Sequence, residues 1–284
     1  MKMMNIIIKN ILFLLFLAIS IAQTEFQISS IAENSFVLAN HKGLSAIQAD
    51  NKNSDDNINL STIFFPSSIN YLHTKYKKYS FAILDYGEIK NQIHNDIIDV
   101  FNAYEIELKY HYKKNIINKF LINFNSGFIY SQISNYNSSA VVTDIKISFN
   151  EKYPMAISFN NLGIIINSYT TQTQKLPFEV QFGIAKYFNN SNIIVGYDVL
   201  YRNNIKDLEH ILCFNMPVKK NIHLKLSWSS FRKNLITDTI MTNWMYGLGG
   251  GIGLHTKKIL ADIGISSLGP AGMVYGISFT YLAN

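Results

Sequence analysis

The chain has 284 residues, of which 48% are hydrophobic, 13% aromatic and only 15% charged, with a formal net charge of +6. Soluble domains carry about 25% charged residues, so this composition argues against an ordinary soluble enzyme. With 17 Tyr and 19 Phe, it fits a barrel with a lipid-facing wall and aromatic girdles. The basic excess is spread over separate lysine pairs, which excludes a nucleic-acid-binding stripe.

Lys2 and Lys9 mark a basic start ahead of an apolar run, Ile11 to Ile19, and Ser20-Ile21-Ala22 forms a small-x-small site before Gln23. This is the layout of a cleaved secretory signal peptide over residues 1–22. The run is shorter than the roughly 20 residues of a spanning helix, so a membrane anchor is not expected. The single cysteine, Cys213, excludes an internal disulfide. Residues 23–57 are polar, contain Asp55-Asp56 and lack strand periodicity; they are expected to form a lumen plug or a periplasmic arm.

From Ile58 the period is two. Tyr104, Ile106, Leu108, Tyr110 and Tyr112 alternate with Glu105, Glu107, Lys109 and His111. Val141 to Phe149 alternate with Asp144, Lys146 and Ser148, and Ile222 to Trp228 with His223, Lys225 and Ser227. Successive side chains on a strand point to opposite faces, so each strand has one apolar and one polar face. The pattern predicts a 14-stranded antiparallel transmembrane β-barrel over 58–284. Its strands fall near 58–64, 69–76, 79–87, 101–112, 119–130, 139–149, 155–162, 178–188, 193–202, 207–216, 222–229, 243–255, 258–267 and 273–282. All five prolines (66, 154, 177, 217 and 270) fall in connections by this assignment, as residues that cannot donate to a ladder should.

Connections after even-numbered strands are short; those after odd-numbered strands include the longer segments 87–100, 131–138, 163–177 and 230–242. Barrels of this class have short periplasmic turns and longer external loops, which puts both chain ends in the periplasm. It also makes a periplasmic basic rim of Lys77, Lys78, Lys113, Lys114, Lys219, Lys220, Lys257 and Lys258.

No constellation points to catalysis. Gly247 to Gly253 never gives G-x-G-x-x-G, and no Lys-Ser/Thr follows; glycines 247, 249, 251 and 253 instead make a smooth lumen-facing strip against which a plug can pack. The histidines lack metal-ligand spacing, so neither a metal nor a cofactor is expected. Glu105, Glu107, Lys109 and His111 are expected to form lumen ion pairs with Asp144 and Lys146 that fill the interior. Gly276, Phe279 and Tyr281 follow the glycine-x-x-hydrophobic-x-aromatic arrangement of an outer-membrane assembly signal, which implies the barrel-assembly machinery as a partner.

Leu84-Asp85-Tyr86-Gly87, the stretch Ile129 to Tyr136, Asn161-Leu162-Gly163, Lys175 to Ile184 and Ser266 to Gly272, in this order, resemble the PorV/PorQ family, its PorQ-type branch most closely. The resemblance spans roughly 58–284. It implies a barrel related to the fatty-acid transporter FadL, placed in the outer membrane, and a non-catalytic role in the type IX protein secretion system. Its partners would be secretion-system proteins or cargo with C-terminal sorting domains, besides outer-membrane lipid. The chain departs from the family in its N-terminal segment, which is not Gly-rich and lacks an Asn-Pro after Asp55-Asp56. The competing expectation is a FadL-like channel for a hydrophobic solute. An apolar lumen with a lateral gap would favour the channel, and a charged, plugged lumen the partner-binding barrel. The Tyr-, Asn- and Ser-rich external segments 131–138 and 167–174 suit protein recognition.

Overall fold

The computed structural model describes residues 26–43, 57–93, 96–117, 120–149, 153–170, 175–188, 191–203, 208–231 and 246–283. The expected signal peptide, the Asp55-Asp56 pair and residues 171–174 and 232–245 lie outside the described residues. The chain forms a closed antiparallel barrel in which every strand pairs with its sequence neighbours and β1 pairs with β14. The strands are β1 Asn57–Phe64, β2 Asn70–Tyr76, β3 Tyr79–Ile93, β4 Asp96–Ile117, β5 Phe120–Ile133, β6 Tyr136–Phe149 and β7 Met155–Asn167. They continue with β8 Glu179–Phe188, β9 Ile193–Arg202, β10 Leu208–Lys219, β11 Ile222–Ser229, β12 Leu248–His255, β13 Ile259–Ser267 and β14 Met273–Leu282. Closure leaves no sheet edge to be satisfied in lipid.

The barrel is inside-out relative to a soluble fold. Along β4, Glu105, Glu107 and Lys109 are buried, while Leu108, Tyr110 and Tyr112 are exposed. The same holds on β14, where Ser278 is buried and Phe279 and Tyr281 are exposed. An apolar exterior around a polar interior is stable only when lipid, not water, is outside.

Three expectations change. The segments 87–100 and 131–138 are not loops, and the first part of 163–177 belongs to β7: β3 and β4 run on to Ile93 and Asp96, β7 runs on to Asn167, and β5 and β6 join at a tight turn, Ser134-Asn135, with Ser134 at φ 53°. Their polar composition hid the ladder, because backbone pairing continues where no apolar face is needed. β4 has 22 residues, against the roughly 9–11 that cross a bilayer, so the excess stands clear of the membrane. Lys113 and Lys114 accordingly lie in β4 rather than in a turn. Pro217 is not in a connection but within β10, at a bulge between Pro217 and Lys219, which is where a strand tolerates a residue without an N–H.

Residues 26–43 lie inside the barrel. A 3-10 turn, Gln27–Ser30, packs on β3 and β4, and a short helix α1, Ser35–Ala39, packs on β11 to β14 and β1. Asn34 caps α1, its Oδ1 accepting from Val37 N at 2.9 Å. At the end of the barrel that carries the longer connections, Phe26, Ile28 and Leu38 join Ile63, Tyr71, Leu84, Ile129, Val142 and Val274 in one buried apolar cluster. The other half of the lumen is polar.

Candidate functional site

The glycine strip receives the plug. A Cβ on Gly251 would lie 2.8 Å from Ala39 Cβ, and one on Gly276 would lie 3.1 Å from both Leu38 Cδ2 and Ser35 Cβ; on Gly264 it would strike the Ser35 carbonyl. Only the missing side chains let α1 approach the wall this closely. Gly247 itself stands in the turn before β12, at φ 73°.

Wall side chains then grip the plug, mostly by its backbone. Glu105 accepts from Ile28 N at 2.8 Å and Gln27 N at 3.3 Å, at the start of the 3-10 turn, and Tyr86 donates its hydroxyl to the same carboxylate at 2.9 Å. Ser227 donates to the Ala39 carbonyl at 2.6 Å, Ser61 to that of Glu33 at 2.6 Å and Gln181 to that of Lys42 at 3.0 Å. The Ser35 hydroxyl donates to the Asp262 carbonyl at 2.9 Å. Among the described residues Lys42 alone pairs the plug to the wall as an ion, 3.0 Å from Glu179, whose other oxygen accepts from Arg202 Nε at 2.9 Å; Arg202 also pairs with Glu209. Lys225 pairs with Asp262 and lies 3.8 Å from the centre of the Phe36 ring, so a cation is stabilised on both sides.

Between plug and the short-turn end lies a cavity of ≈ 730 Å³. Lys109 reaches Glu107 at 2.9 Å and Asp144 at 3.2 Å. His111 bonds to Ser80 and Asn125 rather than to a carboxylate. Lys146 lines the cavity without an ion pair among the described residues. The expected ion pairs therefore form only in part, and a cavity remains beside them. Lys77, Lys78, Lys113, Lys220 and Lys257 line this cavity, whereas Lys114, Lys219 and Lys258 do not. Phe279 and Tyr281 face outward opposite Leu60 and Ile58 of β1, at the seam that closes the barrel, while Gly276 faces the plug.

Glu33, at the bend before α1, projects into the cavity from the plug. Enclosure by the wall raises its pKa, but His73, His111, Lys109 and Lys75 outweigh that and hold it at about 2. Glu33, Glu179, Arg202, Glu209 and Asp262 were not singled out in the sequence. The available signal was their place on inward or plug positions.

No family model matches this chain, and no curated protein matches it. Solved structures do. The Pseudomonas putida toluene transporter TodX superposes with a TM-score of 0.57 at 8% identity, covering 89% of this chain and 100% of TodX. A Pseudomonas aeruginosa FadL homologue gives 0.51 at 7% identity over 87% of this chain and 98% of that one. The Ralstonia pickettii toluene transporter TbuX gives 0.51 at 7% identity over 80% and 89%. At these identities the likeness is one of fold: this chain has the fold of FadL-type outer-membrane barrels.

Proposed function

We propose that the chain is an outer-membrane channel of FadL type, held closed at rest by residues 26–43 and opened by displacement of that plug. The plugged, charged lumen by itself weighs toward the partner-binding barrel; what turns the reading to a channel is the seat of the plug. It rests on glycines and is fixed by the apolar contacts of Phe26, Ile28 and Leu38, a handful of hydrogen bonds and the Lys42–Glu179 pair, of which the polar contacts can be replaced one by one by water or a solute. The fold shared with TodX and the FadL homologue supports it. In planar bilayers the intact barrel is expected to conduct little, and a variant lacking residues 26–43 to show steady single-channel currents. Equal conductance with and without the plug would overturn the gating.

One observation favours a second reading, a PorQ-type barrel of the type IX secretion system. The wall recognises the plug through backbone atoms, at Gln27, Ile28, Glu33, Ala39 and Lys42, which is chemistry suited to any polypeptide. On that reading, deleting the gene would disturb export of proteins with C-terminal sorting domains. Unchanged export together with loss of solute uptake would leave only the channel.

A further inference from the structure

We propose that the cavity at the short-turn end is a binding site for a small multivalent oxyanion, carboxylate or phosphate, entering from the periplasmic side. This goes beyond the channel reading and does not depend on conduction. Its volume of ≈ 730 Å³ falls within the roughly 300–1,000 Å³ of small-molecule pockets. Nine lysines and five carboxylates line it, so with neutral histidines its net charge is +4. Two of those carboxylates are spoken for elsewhere, Glu179 by Arg202 and Asp262 by Lys225. Glu107 and Asp144 both pair with Lys109. Of the remaining lysines, Lys75 and Lys146 have no ion-pair partner among the described residues, and they face a single uncommitted carboxylate, Glu33. A cleft of one sign with low-dielectric walls concentrates the opposite charge.

A second observation points to a ligand at the same place. The His73 side chain is 4% exposed and lines the cavity, yet its Nδ1 has no hydrogen-bond partner among the described residues. A buried polar atom left unpaired costs free energy, and a bound oxyanion or its hydration water would satisfy it. Asn123, Asn125 and Asn160 line the same wall and offer amide donors. Glu33 brings the plug's own carboxylate into this basic field, where an incoming anion would compete with it. Binding of the anion and seating of the plug are therefore opposed, which links the site to displacement of residues 26–43.

The test uses the full-length barrel in nonionic detergent, with radiolabelled citrate and pyrophosphate as separate probes in equilibrium dialysis. Saturable one-site binding of either probe is expected, weakening as salt is raised. Lys146→Met and Lys75→Met should each weaken it by about tenfold, the scale of one charge at several ångströms in a partly wet site. Glu33→Gln should tighten it, because a competing charge is removed. Lys219→Met and Lys258→Met, outside the cavity, serve as controls, and heat-modifiable migration on gels reports that each variant has folded. Citrate alone would assign a carboxylate ligand, pyrophosphate alone a phosphate ligand. Failure of both probes to bind, equal losses in the control variants, or no gain from Glu33→Gln would overturn the proposal, whatever the conductance of the barrel.

Discussion

Glu179→Ala tests how the plug is held. Glu179 is 1% exposed and lies 3.0 Å from Lys42 Nζ of the plug and 2.9 Å from Arg202 Nε of β9. Removing one partner of a buried pair costs about 3–5 kcal/mol when the other charge is stranded. Here neither cation is fully stranded: Arg202 keeps Glu209, and Lys42 keeps the Ser30 carbonyl at 3.0 Å. The loss to the plug is accordingly smaller, about 2 kcal/mol, which at 1.4 kcal/mol per decade is about a 30-fold shift in the seated-to-released ratio. Hydrogen exchange in detergent micelles reads this directly, because local opening sets amide protection. Amides of α1 and of the turn Asn40 to Gly43 should exchange about 30-fold faster, with β4, β9 and β13 unchanged. Glu179→Gln, which keeps the volume and one acceptor, should fall between. Plug amides as protected in the alanine variant as in the parent would refute the reasoning, and so would a uniform loss across the strands, which would mean that Glu179 holds the wall and not the plug.

Gly276→Val should expel α1, since even its first carbon would meet Ser35 and Leu38 at 3.1 Å; overpacking of this kind costs about 1–3 kcal/mol, and trypsin should then cut after Lys42 while the barrel stays heat-modifiable. For topology, a cysteine at Thr170 should label from outside intact cells and one at Lys219 should not, the native Cys213 being buried; reversed labelling would invert the barrel. Phe279→Ala with Tyr281→Ala should lower the amount of folded barrel in the outer membrane, as read by heat-modifiable migration, because both rings pack on the outer face of the β1–β14 seam. Glu33, whose pKa is depressed to about 2, contributes fully above its unfolded pKa and loses that contribution as pH falls; pepsin should cleave the plug more readily at lower pH within this range, and Glu33→Gln should flatten that difference.

The strands were legible because a barrel in lipid must alternate faces with period two, and the alternation survives even where Glu105 to His111 put four ionisable groups on one face. The glycine strip was legible for the same reason, since 249, 251 and 253 share a face. Extension of β3 and β4 past Gly87 was not, because outside the membrane neither face needs to be apolar and only backbone hydrogen bonds mark the strand. Ion pairing across the lumen was legible only between strands close in sequence. Lys109 meets Asp144 two strands away, but Lys42 and Glu179 are 137 residues apart, and their meeting depends on where the plug threads. Glu105 shows the limit most clearly. Its inward position follows from the alternation, yet its partners are the amides of Gln27 and Ile28, which carry no side-chain signature at all.

That limit bears on how the plug is ordered. A five-residue helix has no independent stability in water, where even helices of about 12–15 residues are marginal. α1 therefore exists only because the wall supplies its contacts: the glycines set the distance, Ser227 satisfies the Ala39 carbonyl, and Ser61, Gln181 and Glu105 hold the plug backbone on either side of the helix. Since those contacts reach backbone atoms, substitutions in the plug's outward side chains leave the seat intact, and a segment that is not Gly-rich still fits. Specificity resides in the wall, at small inward residues of β11 to β14 and polar ones of β4 and β8. The two plug side chains that meet the wall as ions, Lys42 and Glu33, act differently: one fastens the plug to Glu179, and the other places it in a basic cavity where another anion can take its place.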